Sequence, residues 1–290
     1  MKKPQLITIA SGILLTGILF LFVRITPPRK AVSSPPGGTG NMADSPIEPE
    51  KSTLTIDTFL AVASKQLTPD QVLRITALQN SVIRGDVKDQ QLHVYHQLAA
   101  FWRDTGNAFE PYAWYTAEAA RLENSQKSLT FAAQQFLDNL QEDNVGERRK
   151  WKALQAKDLF ERSLKLSPDN DSAKIGLGAC YLFGGISATP MEGIMKIREV
   201  AEKDSTNAYA QLMLGKGSML SGQYDKAIGR FEAVCRLQPG NLDAALLLAD
   251  VYDQTGNKTE AIKWYNKCLK LSTNENLKKA LINRISELQH

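Results

Sequence analysis

AYAQLMLGKGSMLSGQYDKAIGRFEAVCRLQPGN, residues 208–241, is followed without a gap by LDAALLLADVYDQTGNKTEAIKWYNKCLKLSTNE, residues 242–275. At a spacing of 34 residues, Leu214-Gly215, Gly222, Ala227, Phe231, Leu237 and Pro239 fall on Leu248-Ala249, Gly256, Ala261, Tyr265, Leu271 and Thr273. Self-similarity at this period marks stacked helical hairpins, each too small to bury its apolar face without a neighbour. Function is then expected on a surface rather than in a catalytic pocket.

Working backward, the register persists with growing irregularity. Residues 171–207 carry Leu177-Gly178 and Tyr181, a loop over 183–190, and a helix with Ile194, Ile197 and Val200. Residues 126–170 place Ala133 and Phe136 on a first helix and Ala156, Phe160, Leu166 and Pro168 on a second. Polar residues Glu142-Asp143-Asn144 and Gly146-Glu147-Arg148-Arg149-Lys150 between them are expected to absorb the extra length as a surface loop. Residues 91–125 pair a helix with Leu92, Tyr95, Leu98-Ala99 and Trp102 against one with Tyr112, Trp114-Tyr115, Ala117 and Ala120, turned at Gly106-Asn107. Here Glu110 stands where a small residue is expected.

Before the array, residues 54–90 are expected to form an irregular hairpin. Its first helix carries Ile56, Phe59, Leu60 and Val62-Ala63. Its second starts at the capping-box-like Thr68-Pro69-Asp70-Gln71 and stops at Gly85. After the array, residues 276–290 read as an amphipathic capping helix using Leu277, Leu281, Ile285 and Leu288. No alternating strand pattern appears from Thr55 onward, so the body is predicted to be all-α.

These residues resemble the tetratricopeptide repeat family, whose unit carries a small residue between bulky ones on its first helix, and Ala, an aromatic and a terminal Pro on its second. Gly215 and Ala249, Ala227 and Ala261, Phe231 and Tyr265, and Pro168 and Pro239 carry the resemblance. It is strong over 208–275, good over 126–207 and suggestive over 91–125. Ser218 in place of a large aromatic, and Gly193 in place of the second-helix alanine, depart from it. The resemblance implies a right-handed superhelical solenoid of units at about 91–125, 126–170, 171–207, 208–241 and 242–275, whose groove binds a protein or peptide. Mapped by position, that groove would include Ile175, Ala179, Leu182, Tyr209, Leu212, Lys216, Met219, Leu246, Asp250 and Asp253. Lys216 is the one basic residue of the set, so a clamp for a terminal carboxylate is not expected.

The amino-terminal region is of another kind. After the short basic segment 1–5, the run 6–25 is predominantly apolar. As a helix it reaches roughly 30 Å, the thickness of a bilayer core. No clean A-x-A site follows it, so an uncleaved transmembrane signal-anchor is expected in preference to a signal peptide. Residues 26–53, with Pro27-Pro28 and Ser33-Ser34-Pro35-Pro36-Gly37-Gly38, read as a disordered linker holding the body off the membrane. The basic residues on the two sides of the span nearly balance, and the short leading segment favours a body on the exported, periplasmic side.

Composition narrows the chemistry. A net charge of +4 over 35 basic and 31 acidic residues leaves no basic stripe, so nucleic acid is not an expected partner. Cys180, Cys235 and Cys268 have no CxxC spacing and fall within helical patterns, as small core residues do. His93 and His96 share a helix face without a third ligand in view, so no metal is expected. Gly176-Leu177-Gly178 and Gly215-Lys216-Gly217 lack the spacing of nucleotide loops, and no nucleophile stands in a recognisable motif. No catalytic residue or cofactor is therefore expected. The aromatic hairpin with Trp102, Tyr112, Trp114 and Tyr115 is either core or an exposed hot spot. The reading that results is a membrane-anchored scaffold or adaptor. The alternatives are an assembly factor of chaperone type for envelope proteins, as in cytochrome c maturation, and a regulatory accessory of an enzyme complex.

Overall fold

Thirteen α-helices and no strand make up the described residues of the computed structural model, which cover 52–290 apart from 85–86, 141–142, 144–145 and 187–189, with backbone alone at 83–84. They fall within one unit, Pro49–His290. The expected span 6–25, most of the linker and the stop at Gly85 lie outside the described residues. Among those residues no helix is long and apolar enough to cross a membrane.

In chain order the helices are α1 (Ile56–Ser64), α2 (Pro69–Arg84), α3 (Lys88–Asp104), α4 (Phe109–Glu123), α5 (Gln126–Leu140), α6 (Gly146–Leu166), α7 (Asp171–Phe183), α8 (Pro190–Lys203), α9 (Ala208–Leu220), α10 (Tyr224–Leu237), α11 (Leu242–Gln254), α12 (Lys258–Leu271) and α13 (Glu275–Gln289). From α3 onward they pack as successive hairpins, α3 with α4, α5 with α6, and so on to α11 with α12, and each hairpin rests on the next. α13 packs on α12 at the end.

Short-range chemistry sets the boundaries. Thr68 and Gln71 form the anticipated capping box, with the Thr68 amide donating to Gln71 Oε1 at 2.9 Å and the Gln71 amide to Thr68 Oγ1 at 3.4 Å. Asn170, Asn207 and Asn241 each accept the amide three residues on and start α7, α9 and α11. Gly222 and Gly256 turn their hairpins at φ 70° and 77°, a region costly for a residue with a Cβ.

Two expectations are corrected. α1 and α2 are not a hairpin of their own: α1 packs on α4 and α2 on α3, with Phe59 of α1 also meeting Trp151 of α6 at 4.6 Å and Ile75 of α2 joining Leu98, Phe101 and Trp102 in a second cluster. Gly146–Lys150 is not a loop but the first turn of the 21-residue α6. That extra length carries Trp151, 3% exposed, into an aromatic cluster with Phe59, Trp114 and Phe136.

A continuous core runs from Phe59 to Leu288, built largely of Ala, Leu and Phe from both helices of every hairpin after α3–α4, while the buried residues of α3 belong to the second cluster. The three cysteines are buried in the array as free thiols.

Candidate partner-binding groove

The C-terminal ends of α7 and α9, the N-terminal turn of α6 and the start of α11 enclose a groove of about 890 Å³. Leu140, Leu182, Met219, Leu220 and Leu247 give it an apolar floor. Glu147, Arg149, Lys150, Lys216 and Asp243 supply mixed charge at its rim. Lys216 Nζ lies 3.1 Å from Asp243 Oδ2, and Leu220 is 67% exposed.

Of the residues mapped to the groove, Leu182, Lys216 and Met219 line it. Ile175, Ala179 and Leu212 are buried and belong to the core. Tyr209 is largely enclosed. Its hydroxyl donates to Gln134 Oε1 of α5 at 3.2 Å, and burial pushes its pKa up. Leu246 is half-buried against the core.

The two acids of the set are engaged elsewhere in the fold. Asp250 accepts the Tyr265 hydroxyl at 2.7 Å, and burial raises its carboxyl pKa. Asp253 takes Arg284 of α13 in a fork, Nε to Oδ2 at 2.7 Å and the terminal nitrogen to Oδ1 at 2.9 Å, which lowers its pKa. Mapping by repeat position placed them without a view of α13, which folds back and claims Asp253.

Residues 218–282 match the family model described as tetratricopeptide repeat. Over those residues the chain carries tetratricopeptide repeats. No curated protein sequence matches it. Among solved structures, a tetratricopeptide repeat protein from Parabacteroides merdae is 15% identical with a TM-score of 0.52, covering 81% of this chain and 85% of that one. A thermophilic tetratricopeptide repeat protein of Thermus thermophilus is 16% identical with a TM-score of 0.50, covering 70% and 99%. YrrB, described as a tetratricopeptide repeat protein with an unusual peptide-binding site, is 17% identical with a TM-score of 0.40, covering 71% and 98%. At these identities the first two show a likeness of fold.

Positional mapping missed Leu220, Asp243 and Leu247 of the regular units and several residues of the irregular unit 126–170. Glu147, Arg149 and Lys150 reach the rim because α6 starts early, and Leu140 joins the floor from the end of α5. The polar run 146–150 carried that signal, since Glu147, Arg148 and Lys150 are also good helix formers.

The aromatic hairpin resolves as packing. Trp102 has no exposure and Tyr115 8%, while the Tyr112 hydroxyl accepts from Gln135 at 2.8 Å. His93 is paired with Gln97 at 3.1 Å on its own helix.

Proposed function

We propose that this repeat protein is a membrane-anchored scaffold that holds a segment of a partner protein in the groove beside Lys216 and Met219, and that it performs no catalysis itself. The observation that carries the reading is the groove: an apolar floor of five aliphatic side chains, open to solvent, under a rim of both charges. Apolar floors supply affinity and polar rims orientation, which is how helical grooves hold extended or helical segments. The anchor at 6–25 and the linker would place this groove near the bilayer on the exported side, and the array would coil as the right-handed superhelix of its family.

A photo-crosslinking residue placed at Leu220 in the full-length chain, expressed in cells, tests the groove. It is expected to trap a discrete partner, and Lys216→Glu combined with Met219→Asp is expected to abolish the adduct while the protein stays folded. The same crosslinker at Ile282, exposed on α13 outside the groove, should not trap that partner. Adducts that survive the double substitution would sink the reading. Deletion of 6–25 should move the chain from the membrane to the soluble fraction, and a reporter fused after His290 should be active only on the exported side.

A further inference from the structure

On the far side of α9 from the groove lies a second cavity, of about 600 Å³, walled by α8, α9 and α10. Ser218 sits two residues beyond Lys216, a rotation of about 200° around the helix, so the two recesses open in different directions. Its origin is a missing side chain. Tyr181 and Tyr252 occupy the same repeat position in the preceding and following units, and Tyr252 reaches Glu232 Oε1 of α10 at 3.0 Å. Between them stands Ser218, whose hydroxyl only bonds back to the Leu214 carbonyl at 2.9 Å. Opposite it, Gly229 has open space where a Cβ would be.

The walls are apolar at the base, through Ile194, Leu214 and Ala233, and basic at the mouth. Arg198, Lys226 and Arg230 line it, and no carboxylate does among the described residues. Two of these cations, Arg230 and Lys226, have neutral partners. Arg230 donates to Oε1 of Gln211, a glutamine 5% exposed that also bonds the Ser205 carbonyl, and Lys226 donates to Gln223 Oε1 at 2.6 Å. In the following unit the position of Lys226 is Glu260, which pairs with Lys263 at 2.8 Å. The cavity of the 208–241 unit therefore has both unfilled volume and uncompensated positive charge, and Met191, 57% exposed, overhangs it as an adaptable apolar lip.

We infer that this cavity is a second docking site, taking an aromatic side chain flanked by carboxylates from a partner protein. The ring enters the space that a tyrosine fills in the neighbouring units, and the carboxylates meet Arg198, Lys226 and Arg230. Charge complementarity at a rim selects such a segment over a basic one. The site is independent of the groove reading.

The test uses the full-length chain with its methionine methyl groups labelled for NMR, the Met191 signal being assigned through Met191→Leu. The probe is acetyl-Glu-Phe-Glu-amide, with acetyl-Lys-Phe-Lys-amide and acetyl-Glu-Ala-Glu-amide as controls. The acidic aromatic peptide is expected to shift Met191 saturably, and each control to bind at least about tenfold more weakly. Ser218→Tyr should leave the protein folded and remove the response, while Lys216→Glu in the groove should leave it intact. An equal response to either control, no saturable shift at Met191, or binding that persists in folded Ser218→Tyr would each overturn the assignment. Should Ser218→Tyr fail to fold, the exposed pair Arg198→Glu and Lys226→Glu decides: loss of binding supports the site and retention refutes it.

Discussion

At the scale of single residues, Gly193 reads in the sequence as a departure, a glycine where an alanine is usual. The structure gives it a cause. A Cβ at Gly193 would collide with the carbonyl oxygen of Gly178 and press on the backbone of Leu182, so α7 and α8 touch backbone to backbone there. Gly229 is the opposite case, a helical glycine with nothing near its missing Cβ. Alanine normally improves a helix interior by about 1 kcal/mol over glycine. Gly229→Ala is expected to gain about that much in urea denaturation, whereas Gly193→Ala is expected to lose about 1 to 3 kcal/mol by overpacking, because backbone cannot step aside. Equal effects at the two sites would contradict the close approach. The sequence showed both glycines, but only the distance to the facing helix separates them.

At the scale of elements, the early start of α6 has an electrostatic consequence. It carries Lys152, 2% exposed, into a buried site where Nζ meets Asp143 Oδ2 at 2.6 Å, Glu110 Oε1 at 3.1 Å and Asn139 Oδ1 at 2.5 Å, and lies 5.0 Å from the centre of the Phe109 ring. Arg148 adds a longer contact to Glu110 at 3.7 Å. Four segments are thereby tied to one ammonium group: the start of α4, the end of α5, the connection after it, and α6. Glu110, which stood out as a charged residue at a small-residue position, is the acceptor this lysine requires. Removing one partner of a buried ion cluster strands the others, at a cost of about 3 to 5 kcal/mol. Lys152→Met is expected to destabilise the protein in that range, read by urea denaturation, and Lys165→Met on the exposed end of the same helix to change little. The asparagine caps were the opposite sort of feature, legible from local chemistry alone, since Asn207 and Asn241 repeat the 34-residue period with a side chain that favours helix starts.

At the scale of the whole described array, stability is a chain of nearest-neighbour contacts, and an open end needs a cover. α13 supplies it by burying Leu281, Ile285 and Leu288 and by gripping α11 through Arg284 and Asp253. Because Arg284 lowers the folded-state pKa of Asp253, that carboxylate contributes stability that is fully present above the ordinary aspartate value of 3.8 and is lost as pH falls through the depressed value. Asp250 has the opposite sign. Its burial cost falls on the ionised form and is relieved as pH drops through its raised value. Arg284→Gln is therefore expected to lower the melting temperature at neutral pH, and the gap to the wild type should narrow as pH falls below 3.8 and through the depressed value of Asp253. A gap independent of pH would mean that Arg284 acts by packing rather than charge.

The 34-residue register, the small residues at hairpin crossings, the capping box and the all-helical class were determined by the sequence itself, because each rests on interactions within one helix or between adjacent helices, where spacing along the chain is spacing in space. Tertiary structure alone decided that α1 packs on α4, that Lys152 is buried among acids from other elements, and that Asp253 belongs to α13 and not to the groove. Those contacts join residues distant in the chain, as do Thr53 and Glu147, 94 positions apart, and no period in the chain encodes which of them meet. The groove shows the same division. Lys216 and Met219 follow from the repeat, while Glu147 and Arg149 reach it only because an insertion folded as helix.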